Sequence, residues 1–112
     1  ASVYALADVF VFPSHEEGGP QVTYEAAAGG LPSIVSPMGA GRLVHDGREG
    51  LVVDPFDTEG WARAIRSLAE DPTLRRRMAQ DAVDAVQDFT WERVGARLRE
   101  HFLRIMRGGR PA

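Results

Sequence analysis

VFVFPSHEEGGPQVTYEAAAGGLPSIVS, residues 9–36, decides the fold. VFVF (9–12) is four apolar, β-prone residues without polar alternation, and Pro13-Ser14 follows at once. Alternation appears only where one face of a sheet meets water, so this segment reads as a strand buried on both faces of a parallel sheet. Gly18-Gly19 makes a permissive turn. Pro20 fits the first turn of a helix, where its missing N–H costs nothing. That helix runs through QVTYEAAAG and stops at Gly29-Gly30. SIVS (33–36) is the next short strand. A strand, a glycine turn, a helix and a second strand form the repeating unit of a parallel α/β sheet.

Outward from this unit, residues 1–8 read as the end of a helix that begins before the first residue shown. GAGRLV (39–44) makes a brief helical turn, Asp46-Gly47 a tight turn, and LVV (51–53) a third strand. The stretch 57–107 is mainly helical. Asp57 or Thr58 caps a helix whose Trp61, Ile65 and Leu68 share one face. Asp71-Pro72 supplies N-cap and N1 for a second helix, with Leu74, Met78, Ala82, Ala85 and Phe89 following. Thr90 caps a third, whose Trp91, Val94, Leu98, Phe102 and Ile105 form one stripe. GGRPA (108–112) is expected to fray. VFVF should be a central strand, yet only three strands are available. An apolar strand with an open edge is a hazard, so something pairs with that edge or the chain is part of a longer protein.

Composition narrows the classes. The 112 residues suit one modest core, and 44% hydrophobic with 26% charged content is ordinary for a globular domain. A net charge of −3 argues against nucleic acid as the partner. All 13 basic residues are Arg, a compositional bias. With no Cys, disulfides, thiolate zinc sites and Cys nucleophiles are excluded. No apolar run approaches the roughly 20 residues of a membrane helix, and no signal peptide is visible. The expected location is the cytoplasm, with the full-length protein able to sit peripherally at a membrane.

Glu17 and Glu25 are the candidate site, with seven residues between them. Read blandly, they are two solvated surface acids. Against that, Gly18 and Gly19 let backbone N–H groups approach a ligand, and they lie between strand end and helix start, where α/β sheets bind ligands. A helix start also offers free N–H groups and a positive dipole end to a phosphate. A hydrolase pair needs carboxyls about 5–9.5 Å apart. Eight steps at about 1.5 Å each set these backbones roughly 12 Å apart, which suits gripping two ends of one elongated ligand better. Elsewhere the signals are bland. Arg75-Arg76-Arg77 reads as a solvated face, Trp61 and Trp91 as core or docking residues, and His15, His45 and His101 as loop or surface residues. No metal-ligand spacing is present.

The stretch quoted above resembles the signature of retaining GT-B glycosyltransferases of the glycosyltransferase family 4, group 1 kind, relatives of glycogen and sucrose synthases. Pro13-Ser14, Glu17, Glu25, Ala26 to Ala28 and Gly30-Leu31-Pro32 all match. HDGREGLVVDPFD (45–57) resembles the family's Asp-Gly-x-x-Gly-Leu strand and Pro-x-Asp turn, and FTWERVGARL (89–98) the opening of its final helix. The resemblance implies that residues 1–112 are the second half of a Rossmann-like, nucleotide-sugar-binding C-terminal domain, with VFVF fourth in the order 3-2-1-4-5-6. It implies glycosyl transfer from a nucleotide-sugar donor with retention, Glu17 meeting sugar hydroxyls at the reacting carbon and Glu25 the ribose hydroxyls. Backbone N–H groups around Gly18, Gly19, Gln21 and Val22 would meet the sugar and diphosphate, with no metal and no cofactor besides the donor.

The departures are Gly18-Gly19-Pro20 where many relatives have Gly-Phe-Gly, and Arg42 where the family has an acid. Arg42 alters either donor contacts or local packing. The family's diphosphate-gripping basic pair, and its acceptor domain with the catalytic His, lie upstream of such a segment. Alone, the segment is therefore expected to be inactive and to self-associate through Val9–Phe12 or the helix beside it. The alternative is a stand-alone nucleotide-binding or interaction module without transfer activity.

Overall fold

A computed structural model describes residues 2–108. Three parallel strands, β1 (Phe10–Phe12), β2 (Ser33–Val35) and β3 (Gly50–Val52), form an open sheet in the order β1-β2-β3. Ile34 is level with Val11 on one side and Leu51 on the other. Around the sheet lie α1 (Ser2–Leu6), α2 (Gln21–Ala28), α3 (Pro37–Ala40), α4 (Thr58–Glu70), α5 (Pro72–Val86) and α6 (Trp91–Met106), with a 3₁₀ turn at Gln87–Phe89 before the last. The α/β class and the three strands match the sequence reading.

All three β2 residues are buried, and their alternation divides the core. Val35 joins Ala27, Ala40, Leu43, Val44 and Ala82 in one cluster. Ile34 joins Ala64, Leu68 and Met78 in the other. Met78 and Ala82, one helical turn apart on α5, serve one cluster each, so this helix ties the two halves of the core together. Gly50, level with Ser33, has no room for a side chain.

β1 corrects the expectation of a strand buried on both faces. Val11 is 43% exposed and Phe10 and Phe12 are half-buried, because among the described residues β1 has a strand neighbour on one side only. An apolar run reports what a strand is suited to, not whether its second neighbour is present. Pro20 lies just before α2 rather than in its first turn. The helical turn after β2 is Pro37–Ala40, ahead of the 39–44 segment expected, because Ser36 accepts the Gly39 N–H as an N-cap and Pro37 takes N1.

α2 ends in a Schellman motif. The Leu31 N–H bonds the Ala26 carbonyl at 3.1 Å, the Gly30 N–H bonds that of Ala27 at 3.0 Å, and Gly30 takes φ +79°. The expected caps Asp57, Asp71 and Thr90 are all present. On α4 the buried line is Gly60, Ala64 and Leu68, while Ile65 stands at the exposed rim. The stripe on α6 has no buried member, and Trp91 is 81% exposed. The expected fraying of 108–112 lies, after Gly108, outside the described residues.

Candidate functional site

The loops leaving β1, β2 and β3 converge at the carboxyl edge of the sheet. Ser36, fully buried at the end of β2, donates through its hydroxyl to the Ser14 carbonyl. This fixes the loop after β1 against the loop after β2. Ser14 in turn directs its hydroxyl at Glu17 Oε1 (3.2 Å) and at the Glu16 carbonyl (3.0 Å), which turns the Glu17 carboxylate back over the strand end. His15 packs edge-on to Phe56 at 4.8 Å, joining this loop to the one after β3.

α2 is held at its start by two contacts to the segment after β2, one on α3 and one just past it. Thr23, fully buried, donates to the Gly39 carbonyl at 2.7 Å, and the Arg42 N–H donates to the Tyr24 hydroxyl at 3.1 Å. Within the turn that opens the helix, the Gln21 N–H is engaged by the Gly19 carbonyl at 2.8 Å and the Thr23 N–H by the Pro20 carbonyl at 3.0 Å. The N–H groups of Gly18, Gly19 and Val22 have no acceptor among the described residues. Val22 lies in the first turn of α2, where an orphan N–H and the positive dipole end suit an anion, and Gly18 and Gly19 lie in the turn just before it.

Glu25 projects from the exposed side of α2 one turn after Gln21, and its Oε2 accepts from the Tyr4 hydroxyl at 3.2 Å. Desolvation first, then the hydrogen bond to Glu25 and its negative charge, raise the Tyr4 phenol above its ordinary 10.0. Folding therefore favours the protonated phenol: the contact is intact below pH 10 and is lost as pH rises through the raised value. Beside Glu25 opens a cleft of about 650 Å³, walled by Gly19, Gln21 and Glu25 on one side and Phe89, Trp91 and Val94 on the other.

Gly18, Gly19, Gln21 and Val22 thus gather at the start of α2 with Glu17 in the loop before it, whereas Glu25 stands one turn along the helix; of the six, Gly19, Gln21 and Glu25 line the cleft, and the Gln21 N–H is already in use. Sequence reasoning missed Tyr4 and Ser36 as supports, because their partners lie 21 and 22 residues away. It also missed Glu49, 3% exposed, which accepts from the His45 N–H at 2.8 Å and pairs with His45 Nδ1 at 3.2 Å. Glu49 precedes β3 and so lies at the opposite edge of the sheet, outside the site. The arginine run is largely solvated, as read, with Arg76 and Arg77 exposed, but two of its members also make contacts: Arg75 caps the Leu68 carbonyl at 2.7 Å, and Arg77 holds Asp81 and the Gly47 carbonyl. No helix among the described residues is long and apolar enough to cross a membrane.

Known proteins carry the same pattern. The family model described as "Glycosyl transferases group 1" matches residues 1–71. A D-inositol 3-phosphate glycosyltransferase from Corynebacterium kroppenstedtii is 34% identical over 97% of this chain and 24% of its own length. The structure of sucrose-phosphate synthase from Thermosynechococcus elongatus matches with a TM-score of 0.82 and 30% identity, over 96% of this chain and 27% of that one. The C-terminal domain of a group 1 glycosyl transferase from Francisella tularensis matches with a TM-score of 0.73 and 31% identity, over 77% of this chain and 45% of that one. The chain spans about a quarter of the length of the curated relatives it matches.

Proposed function

Because this chain belongs to the group 1 glycosyl transferases, with the GT-B C-terminal fold, we propose that it carries part of a nucleotide-sugar donor site and serves glycosyl transfer with retention of anomeric configuration. In this reading Glu17 is the catalytic-site acid and accepts from sugar hydroxyls beside the reacting carbon. Glu25 accepts from the ribose hydroxyls. The free N–H groups of Gly18, Gly19 and Val22 meet the diphosphate, and the Gln21 side chain borders it. The observation that carries the reading is this trio of free donors, set between two carboxylates that are each held by a hydroxyl.

Magnitudes assign the rest of the work elsewhere. A helix dipole contributes about 0.3–1 kcal/mol to an anion at its end, too little alone for a leaving diphosphate without a metal. Basic side chains outside these 112 residues complete the grip, and an acceptor site outside them completes the reaction. The chain alone binds nucleotide and does not transfer.

Calorimetric titration with UDP, GDP and ADP tests the proposal. One of them binds, and Glu25→Ala weakens it about tenfold or more, since a hydrogen bond to a charged group contributes about 1.5–3 kcal/mol. Equal affinity in wild type and Glu25→Ala refutes the assignment of Glu25.

A further inference from the structure

Tyr4 lies on α1, outside the glutamate-bearing stretch, yet three features aim it at the site. Its hydroxyl donates to Glu25 Oε2 across 21 residues of sequence. Its approach is close to Gly29: a Cβ there would stand 3.2 Å from the Tyr4 Cβ, tight enough that one of the two would have to shift by a few tenths of an ångström. Its ring meets Phe10 of β1 edge-on, with centroids 6.4 Å apart, which limits its swing. The phenol is thus placed by the packing of three elements, and the carboxylate it holds is on an exposed helix surface.

We propose that Tyr4 is a positioning residue for ribose recognition, holding Glu25 through Oε2 so that Oε1 faces the paired hydroxyls of a ribonucleotide. The inference rests on the donor-site reading of Glu25. A free Glu side chain samples many rotamers, and fixing one before binding removes an ordering cost from the ligand. A carboxylate has about four acceptor positions, so one phenol leaves room for both hydroxyls of a vicinal diol. Tyr4 touches neither the sugar nor the phosphates in this arrangement; it acts only through Glu25.

The test compares a ribonucleoside diphosphate with its 2′,3′-dideoxy analogue on wild type, Tyr4→Phe and Glu25→Ala. Tyr4→Phe removes only the hydroxyl and keeps the ring that packs on Phe10. It should weaken the ribonucleotide about threefold or more, the size of effect expected for one hydrogen bond, and leave the dideoxy analogue at its wild-type affinity. Glu25→Ala should abolish the preference, and the double variant should bind no worse than Glu25→Ala. The Glu25 Hα–Hβ couplings should report one rotamer in wild type and averaging in Tyr4→Phe.

A wild-type preference retained in Tyr4→Phe but lost in Glu25→Ala overturns the role of Tyr4 and leaves the site reading standing. A preference retained in Glu25→Ala overturns the site reading itself, and binding of neither compound by the folded chain overturns both. Equal weakening of both compounds in Tyr4→Phe shows a structural effect and also overturns the inference.

Discussion

A methyl group on Gly50 would overlap the carbonyl oxygen of Ser33 in the paired strand, and backbone cannot step aside as a side chain can. Gly50→Ala should therefore cost about 3 kcal/mol, at the upper end for overpacking, read as a shift of the urea midpoint. A cost below about 0.5 kcal/mol, the range of ordinary surface changes, would contradict the β2–β3 register. What a sequence reveals at this scale depends on separation along the chain. Glu17 and Glu25 stand out because both flank one local glycine turn. Ser14 lies three residues from Glu17 and could have been found by that spacing. Tyr4 and Ser36 act through partners more than 20 residues away, and no local pattern carries such a contact. The arginine run is instructive: three consecutive helical residues do point three ways, but two of those directions end on carbonyls of neighbouring segments.

Helix starts were the most legible elements, since Asp57, Asp71 and Thr90 each accept from the N–H of the third residue of their own helix. Strands were legible by composition but not by environment. Three-residue strands show no period, so β1 and β2 read alike, though one is an open edge and the other is buried throughout. The stripe on α6 was likewise visible as a period, while its exposure was not. An unpaired strand edge carrying Val11, together with an apolar helix face, leads us to expect self-association. Gel filtration should show apparent size rising with concentration, and Val11→Lys should reduce it, as charged residues on edge strands do. A wild-type chain that elutes as a clean monomer at micromolar concentration would sink this expectation.

At the scale of the whole molecule, the sheet and its flanking helices form the compact part, and α6 extends from it to give dimensions of 53 × 28 × 22 Å. A 16-residue helix is about 24 Å long, close to the excess of the first dimension over the other two. The three loops of the carboxyl edge and the start of α2 gather at one place, while the buried Glu49 sits at the other edge. This polarity follows from parallel strands: connections alternate between the two edges, and a helix that directly follows a strand starts at the carboxyl edge. The central claim is that the nucleotide's diphosphate sits on the α2 start, between Glu17 and Glu25. The most direct measurement is an amide chemical-shift titration of the labelled chain with the nucleoside diphosphate it binds. The account predicts the largest changes at Gly18, Gly19 and Val22, with Glu25 next. Largest changes along α6 or around His45 and Glu49 would contradict it.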